Sequence, residues 1–131
     1  MKYMTAAEAV QLIESGDSIY IQGSTSIPEV LSQALADRGG ELRDVTIYAA
    51  FAVGRCEAPY CKPEYKDAFN VKSLFVANNV RRWLADGYGS TIPAFLGEIP
   101  GLFRDGTLPV DAVFLNVSPP NPDGFCSFGI S

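Results

Sequence analysis

Histidine is absent from this sequence of 131 residues. Without an imidazole the chain holds no Ser-His-Asp or Cys-His relay and no familiar zinc knuckle. Its chemistry must therefore come from carboxylates, backbone donors or another polypeptide segment. Cysteine is scarce: Cys56, Cys61 and Cys126 cannot all pair with one another, and no structural metal is expected from this ligand inventory. Basic residues are outnumbered, 10 against 15 acidic ones for a net charge of −5, and they form no cluster. Nucleic acid is thus an unsuitable partner, because phosphate binding relies on grouped Lys and Arg. No apolar run is long enough to span a bilayer, and Met1-Lys2-Tyr3-Met4-Thr5 lacks the core of a secretory signal. These absences point to a cytoplasmic protein without a membrane partner. Neither GxGxxG nor GxxxxGK occurs, which removes the usual support for a nucleotide-binding module.

What is present suits one globular domain: 47% apolar residues with 19% charged. Thr5-Ala6-Ala7-Glu8 has capping-box spacing, and Ala6, Ala9, Val10 and Ile13 then share a helical face that Gly16 terminates. Ser18 to Gln22 alternates as a short strand. Pro28 suits the first position of a second helix, whose Val30, Leu31, Ala34 and Leu35 should point inward before Gly39-Gly40. Further strands are predicted at Val45 to Phe51, Leu74 to Ala77 and Ala112 to Val117. A helix carrying Val80, Trp83 and Leu84, capped by Asn78 or Asn79 and ended by Gly87, separates the last two. Strand, helix and strand in succession predict an α/β fold, a mostly parallel sheet flanked by helices. Ala58 to Asp67 reads as an exposed excursion, and Pro93, Pro100 and Pro109 break Ile92 to Pro109 into short pieces.

Ligands of open parallel sheets bind beyond the carboxyl ends of strands. Gln22, Gly23, Ser24 and Thr25 occupy such a position, and their small side chains let backbone amides approach a carboxylate or thioester oxygen. A tight turn with a helix cap is the plainer reading of the same residues. Arg81-Arg82 likewise reads as a solvated helix face, and Cys126 as a small core residue. After the turn at Ser118 to Gly124, Phe125 to Phe128 looks like a strand just beginning, so the chain is expected to be one piece of a longer polypeptide.

The second half carries an ordered set of motifs: Ile92-Pro93-Ala94-Phe95-Leu96-Gly97-Glu98-Ile99-Pro100, Leu108-Pro109-Val110-Asp111, Val117-Ser118-Pro119-Pro120, Gly124 and Ser127-Phe128-Gly129. This run resembles IPxFLxExP, LPxDxxL and VSPPDxHGxxSxG of the acetyl-CoA hydrolase/transferase family, which includes 4-hydroxybutyrate CoA-transferases. Asn79-Val80-Arg81 and Gly87 fit that family's NxRxxxxxG spacing, and Thr5 to Val10 with Ser15-Gly16-Asp17 resembles its opening. The chain departs from the pattern at Asn121, where aspartate is usual, and at Asp123, where histidine is usual.

The resemblance implies an N-terminal CoA-transferase half that faces a similar C-terminal half, often within a homo-oligomer. It implies that coenzyme A moves between an acyl-CoA and a small carboxylic acid, such as acetate or 4-hydroxybutyrate. The thioester is then a substrate, and no cofactor is bound. A glutamate of the C-terminal half would be the nucleophile, since none of the glutamates here, Glu98 included, has its context. Gln22, Gly23, Ser24, Thr25, Asn79, Arg81, Ser118 and Gly124 would contribute the substrate-binding wall. Acyl-CoA hydrolysis and a non-catalytic binding module of the same fold are the competing expectations.

Overall fold

The computed structural model describes residues 3–50 and 58–129. Five strands, β1 (Ser18–Ile21), β2 (Val45–Ala49), β3 (Phe69–Ser73), β4 (Gly89–Thr91) and β5 (Ala112–Phe114), form one sheet in the order β4-β3-β2-β1-β5. All neighbouring pairs are parallel. Helix α1 (Ala6–Ala9) precedes β1, and α2 (Glu29–Asp37), α3 (Asn78–Ala85) and α4 (Ile99–Arg104) occupy connections between strands.

The strand order explains which face each helix covers. From β1 to β4 the chain winds one way across the sheet, and then it returns past β1 to lay down β5. With crossovers of one hand, reversing the direction of winding moves the connecting helix to the other face. Accordingly, Leu35 and Ala36 of α2 and Val80 and Trp83 of α3 join Ile19, Ile21, Ile47, Val71 and Phe114 in the main core. Ile99, Leu102 and Phe103 of α4 pack with Tyr20, Tyr48, Leu74 and Leu108 on the opposite face.

Most predicted elements form, with instructive shifts. The capping box at Thr5 and Glu8 is complete, but α1 tightens into a 3₁₀ turn at Val10–Leu12, and Ile13 is already extended. The Arg38 guanidinium donates to the carbonyls of Val10 and Ile13, satisfying that helix end from α2. Pro28 is the N-cap of α2 rather than its first residue. Val30 is 74% exposed instead of inward, and Ser32 takes the buried position, because a helix starting at Glu29 turns positions 32, 35 and 36 to the sheet.

The predicted strand over Leu74 to Ala77 is a loop, and the strand lies just before it. Phe69, Val71 and Ser73 face the main core there, while Asn70 and Lys72 face the other way. The strand expected over Ala112 to Val117 breaks off at Phe114, three residues early, and β4 and α4 were not anticipated. Ala58 to Asp67 is less exposed than predicted: Ala58 and Tyr60 are buried, and a 3₁₀ turn at Pro63–Tyr65 brings Tyr65 against Phe69. The end of the predicted strand to Phe51, and Cys56, lie outside the described residues.

Candidate functional site

The winding reversal lies between β1 and β5, so the chain diverges at their carboxyl ends and leaves a crevice there. That is where open parallel sheets bind ligands. On the β1 side, Gln22 is 5% exposed. Its backbone N–H donates to the Phe114 carbonyl at 3.0 Å, and its Oε1 accepts from the Asn116 N–H at 2.6 Å. The Gln22 side chain thus fastens the segment leaving β5 to the end of β1. Gly23 follows, and then Ser24 at φ +62°, in the left-handed region that favours glycine. A serine held there sends the chain sharply away from the sheet before α2 begins.

The β5 side continues into a hairpin. Ser118 N–H donates to the Ser127 carbonyl, and Ser118 Oγ accepts from the Ser127 N–H, both at 2.9 Å. At the tip, Asn121 Oδ1 accepts from Asp123 and Phe125 N–H at 3.0 and 2.9 Å, with Gly124 at φ +84°. Asn121 therefore fixes the turn with one side-chain oxygen. Phe125 to Phe128 is the return arm of this hairpin rather than a sheet strand, and Cys126 is exposed there rather than in the core.

A cavity of about 240 Å³ lies beside the hairpin, lined by Ser26, Asn116, Val117, Ser118, Ser127, Phe128 and Gly129, with Gln22, Gly23, Ser24, Thr25 and Gly124 outside its lining. Its lining carries hydroxyls, amides and one aromatic ring, and no ionisable side chain. Such a wall can donate hydrogen bonds to a carbonyl or carboxylate oxygen but cannot exchange protons near neutrality. Local spacing does not reveal Ser26, Asn116 and Ser127 as lining residues, because their neighbourhood follows from β5 lying beside β1. Asp111, of the Leu108-Pro109-Val110-Asp111 motif, lies at the other end of the two strands. Its carboxylate accepts from the Ser18 N–H and its own N–H donates to the Ser18 carbonyl, each at 2.8 Å, which locks the entry register of the two strands.

Asn79 and Arg81 do not join this crevice. They belong to the start of α3, which follows β3, two strands and about 10 Å of sheet away from β1. Arg81 is exposed, as is Arg82, which lies 3.8 Å from Asp86. Glu98 accepts from the Phe95 N–H at 3.0 Å and is engaged in its own turn. Among the described residues, no three His, Cys, Asp or Glu side chains gather as metal ligands.

An all-parallel sheet whose winding reverses beside a neutral, hydroxyl-rich crevice is the framework on which the comparisons with known proteins bear. The acetyl-CoA hydrolase/transferase N-terminal domain matches residues 1–131, and the chain belongs to that family. Among its relatives, the succinyl-CoA:acetate/propanoyl-CoA:succinate CoA transferase of Fasciola hepatica is 31% identical over 95% of this chain and 26% of its own length. The 4-hydroxybutyrate coenzyme A transferase of Clostridium kluyveri is 32% identical over 99% of this chain and 30% of its own length. The chain therefore spans under a third of these relatives. Solved structures agree: RipA from Yersinia pestis superposes with a TM-score of 0.85 at 26% identity, over 98% of this chain and 32% of that one. The 4-hydroxybutyrate CoA-transferase of Porphyromonas gingivalis does so with 0.75 at 26% identity, over 98% and 28%.

Proposed function

We propose that this chain forms one wall of a CoA-transferase active site, in which coenzyme A passes between an acyl-CoA and a small carboxylic acid. The observation that carries the reading is the tie between the two segments at the winding reversal: Gln22 Oε1 holds the Asn116 N–H at 2.6 Å, beside a cavity that Ser26 and Ser118 line. Membership of the family, and relatives named for CoA transfer, support the substrate class.

In this mechanism a glutamate of a C-terminal half attacks the acyl-CoA carbonyl and expels the CoA thiolate, leaving an acyl-glutamyl anhydride. The thiolate then attacks the glutamyl carbonyl, forming a glutamyl-CoA thioester and releasing the first acid. An incoming carboxylate reverses both steps. Each intermediate trades an anhydride for a thioester, so no strong base is required, which suits a chain without histidine. The contribution of this wall is to hold developing negative charge on carbonyl oxygens through backbone amides around Gly23 and hydroxyls of the crevice.

The test uses the chain joined to the family's C-terminal domain. Gly23→Val should obstruct the thioester and lower turnover on the order of 100-fold, as loss of one oxyanion donor does, while Ser24→Ala should cost less because the backbone amide survives. Thermal midpoints recorded on the same samples separate a site effect from unfolding. Full turnover in a folded Gly23→Val enzyme would remove the loop from the site. Omitting the acceptor acid from the assay distinguishes transfer from acyl-CoA hydrolysis.

A further inference from the structure

The crevice beside the hairpin joins apolar walls to neutral polar groups. Val117 and Phe128, 39% and 54% exposed, supply the apolar surface, and Ser26, Asn116 and Ser127 supply hydroxyls and an amide. Ser127 Oγ accepts from the Gly129 N–H at 3.1 Å, which leaves its own O–H free to donate. The Ser26 hydroxyl has no partner among the described residues. Ser118, by contrast, is spent, since its Oγ accepts from the Ser127 N–H and donates to the Pro119 carbonyl. At about 240 Å³ the space falls below the roughly 300–1,000 Å³ of pockets that take drug-sized ligands, so it suits a short acyl chain.

Charge is what this lining does not supply. None of its side chains is ionisable, and Arg81 and Arg82 stand on α3, which connects β3 to β4 on the far side of β2. A carboxylate moved out of water needs a cation or several donors within reach, and without them its burial is heavily penalised. Two hydroxyls and an amide suffice for a carbonyl or hydroxyl oxygen, which carries only partial charge. The reacting carboxylate is a separate case, because the reaction converts it into a thioester carbonyl and its charge is lost. A second carboxylate at the far end of an acyl chain keeps its charge throughout. The net charge of −5 on the chain adds no attraction for it.

We propose that this crevice selects the acyl group by charge: it accepts short monocarboxylic acyl groups, with or without a hydroxyl, and rejects dicarboxylic ones such as succinyl. Val117 and Phe128 determine the specificity by packing the alkyl chain, and Ser26 and Ser127 solvate its uncharged polar atoms. The inference rests on the CoA-transferase reading and deepens it, since that reading leaves the acid undefined. A methyl end and a hydroxyl end differ by modest factors in a wall of this kind, whereas an unpaired charge is turned away far more strongly.

A comparison of acceptors tests it on the chain joined to the family's C-terminal domain, with acetyl-CoA as donor and butyrate or succinate as acceptor. The kcat/KM for butyrate should exceed that for succinate by about 100-fold, and a preference under about tenfold overturns the proposal. Val117→Arg places a cation in the lining and should narrow the preference by about tenfold or more. Val30→Arg adds the same charge on the outer face of α2, where residue 30 is 74% exposed, and should leave the preference where it was. Narrowing by both variants alike, or by neither, also overturns the proposal, because overall charge or the other domain then sets the choice. Thermal midpoints establish that the variants are folded, and if Val117→Arg does not fold, Ser26→Lys brings a cation from the opposite side of the cavity. Transfer to both acids alike removes the charge selection and leaves the CoA-transferase reading intact, whereas transfer to neither acid by a folded protein overturns that reading itself.

Discussion

Gln22 shows what a single side chain decides at this site. Its sequence context, directly before Gly23, suggests a group that touches substrate, yet its Oε1 is already occupied by the Asn116 N–H inside the protein. Gln22 is better described as a positioning residue that couples the two loops. Gln22→Leu removes the acceptor and should cost about 1 kcal/mol in urea unfolding, the usual net worth of such a bond. An unchanged midpoint would mean that the loops are held by other contacts. A second residue-scale expectation concerns Cys61, whose thiol burial pushes from its ordinary 9.0 up to about 12. Because the folded value is the higher one, the stability it contributes is complete below pH 9 and fades as the pH rises toward 12. With Cys56 and Cys126 replaced by serine, Cys61 should resist iodoacetamide at pH 8, and Cys61→Ala should flatten the alkaline decline of the thermal midpoint. Rapid alkylation of the folded protein would contradict the partly buried placement of its thiol.

At the scale of elements, the strands that were misread share one cause: their residues serve neighbours rather than a local pattern. Leu74 to Ala77 is the more apolar run, yet β3 is Phe69–Ser73, where Asn70 and Lys72 interrupt the hydrophobicity. The main core needs only the residues at 69, 71 and 73, and Lys72 lies over the Tyr48 ring at 5.9 Å on the thinly covered face. β4 has no hydrophobic residue at all, being Gly89-Ser90-Thr91, and exists because β3 offers it a ladder. Its glycine is required by closeness, not by backbone angle. A Cβ at Gly89 would stand 2.5 Å from the Val71 carbonyl oxygen and 3.0 Å from Leu84 Cδ2. Gly89→Ala should therefore destabilise the fold by about 1–3 kcal/mol, as overpacking against fixed backbone does, with chemical denaturation as the measure. By contrast, α2 and α3 were legible because their periodicity is local, although the N-cap of α3 is Ala77, without a side-chain hydrogen bond, rather than Asn78 or Asn79, and α4 was not anticipated.

For the whole molecule, the class of fold was readable from alternating strands and helices, whereas the crevice was only half readable. Gly23 to Thr25 could be placed at a strand end from its own sequence. That Ser118 and Ser127 come beside Ser26 depends on β5 crossing back past β1, a long-range fact that no window of residues contains. Asn79 and Arg81 looked equivalent to these residues in sequence and belong to another part of the sheet edge. The same topology bears on what the 131 residues can do unaided. Their crevice lining has hydroxyls and amides but no carboxylate, and Glu98 is bound to its own turn. Covalent acyl transfer needs a nucleophile within reach of the thioester carbonyl, so the isolated chain should show no exchange of CoA from acetyl-CoA to butyrate above the uncatalysed rate. Adding the C-terminal domain should restore exchange, and replacing that domain's glutamate by glutamine should abolish it without weakening the association of the two parts. Labelled butyrate, followed into the thioester by chromatography, reads the outcome directly. Turnover by the isolated chain, lost on denaturation, would place the nucleophile among these residues and require a different mechanism.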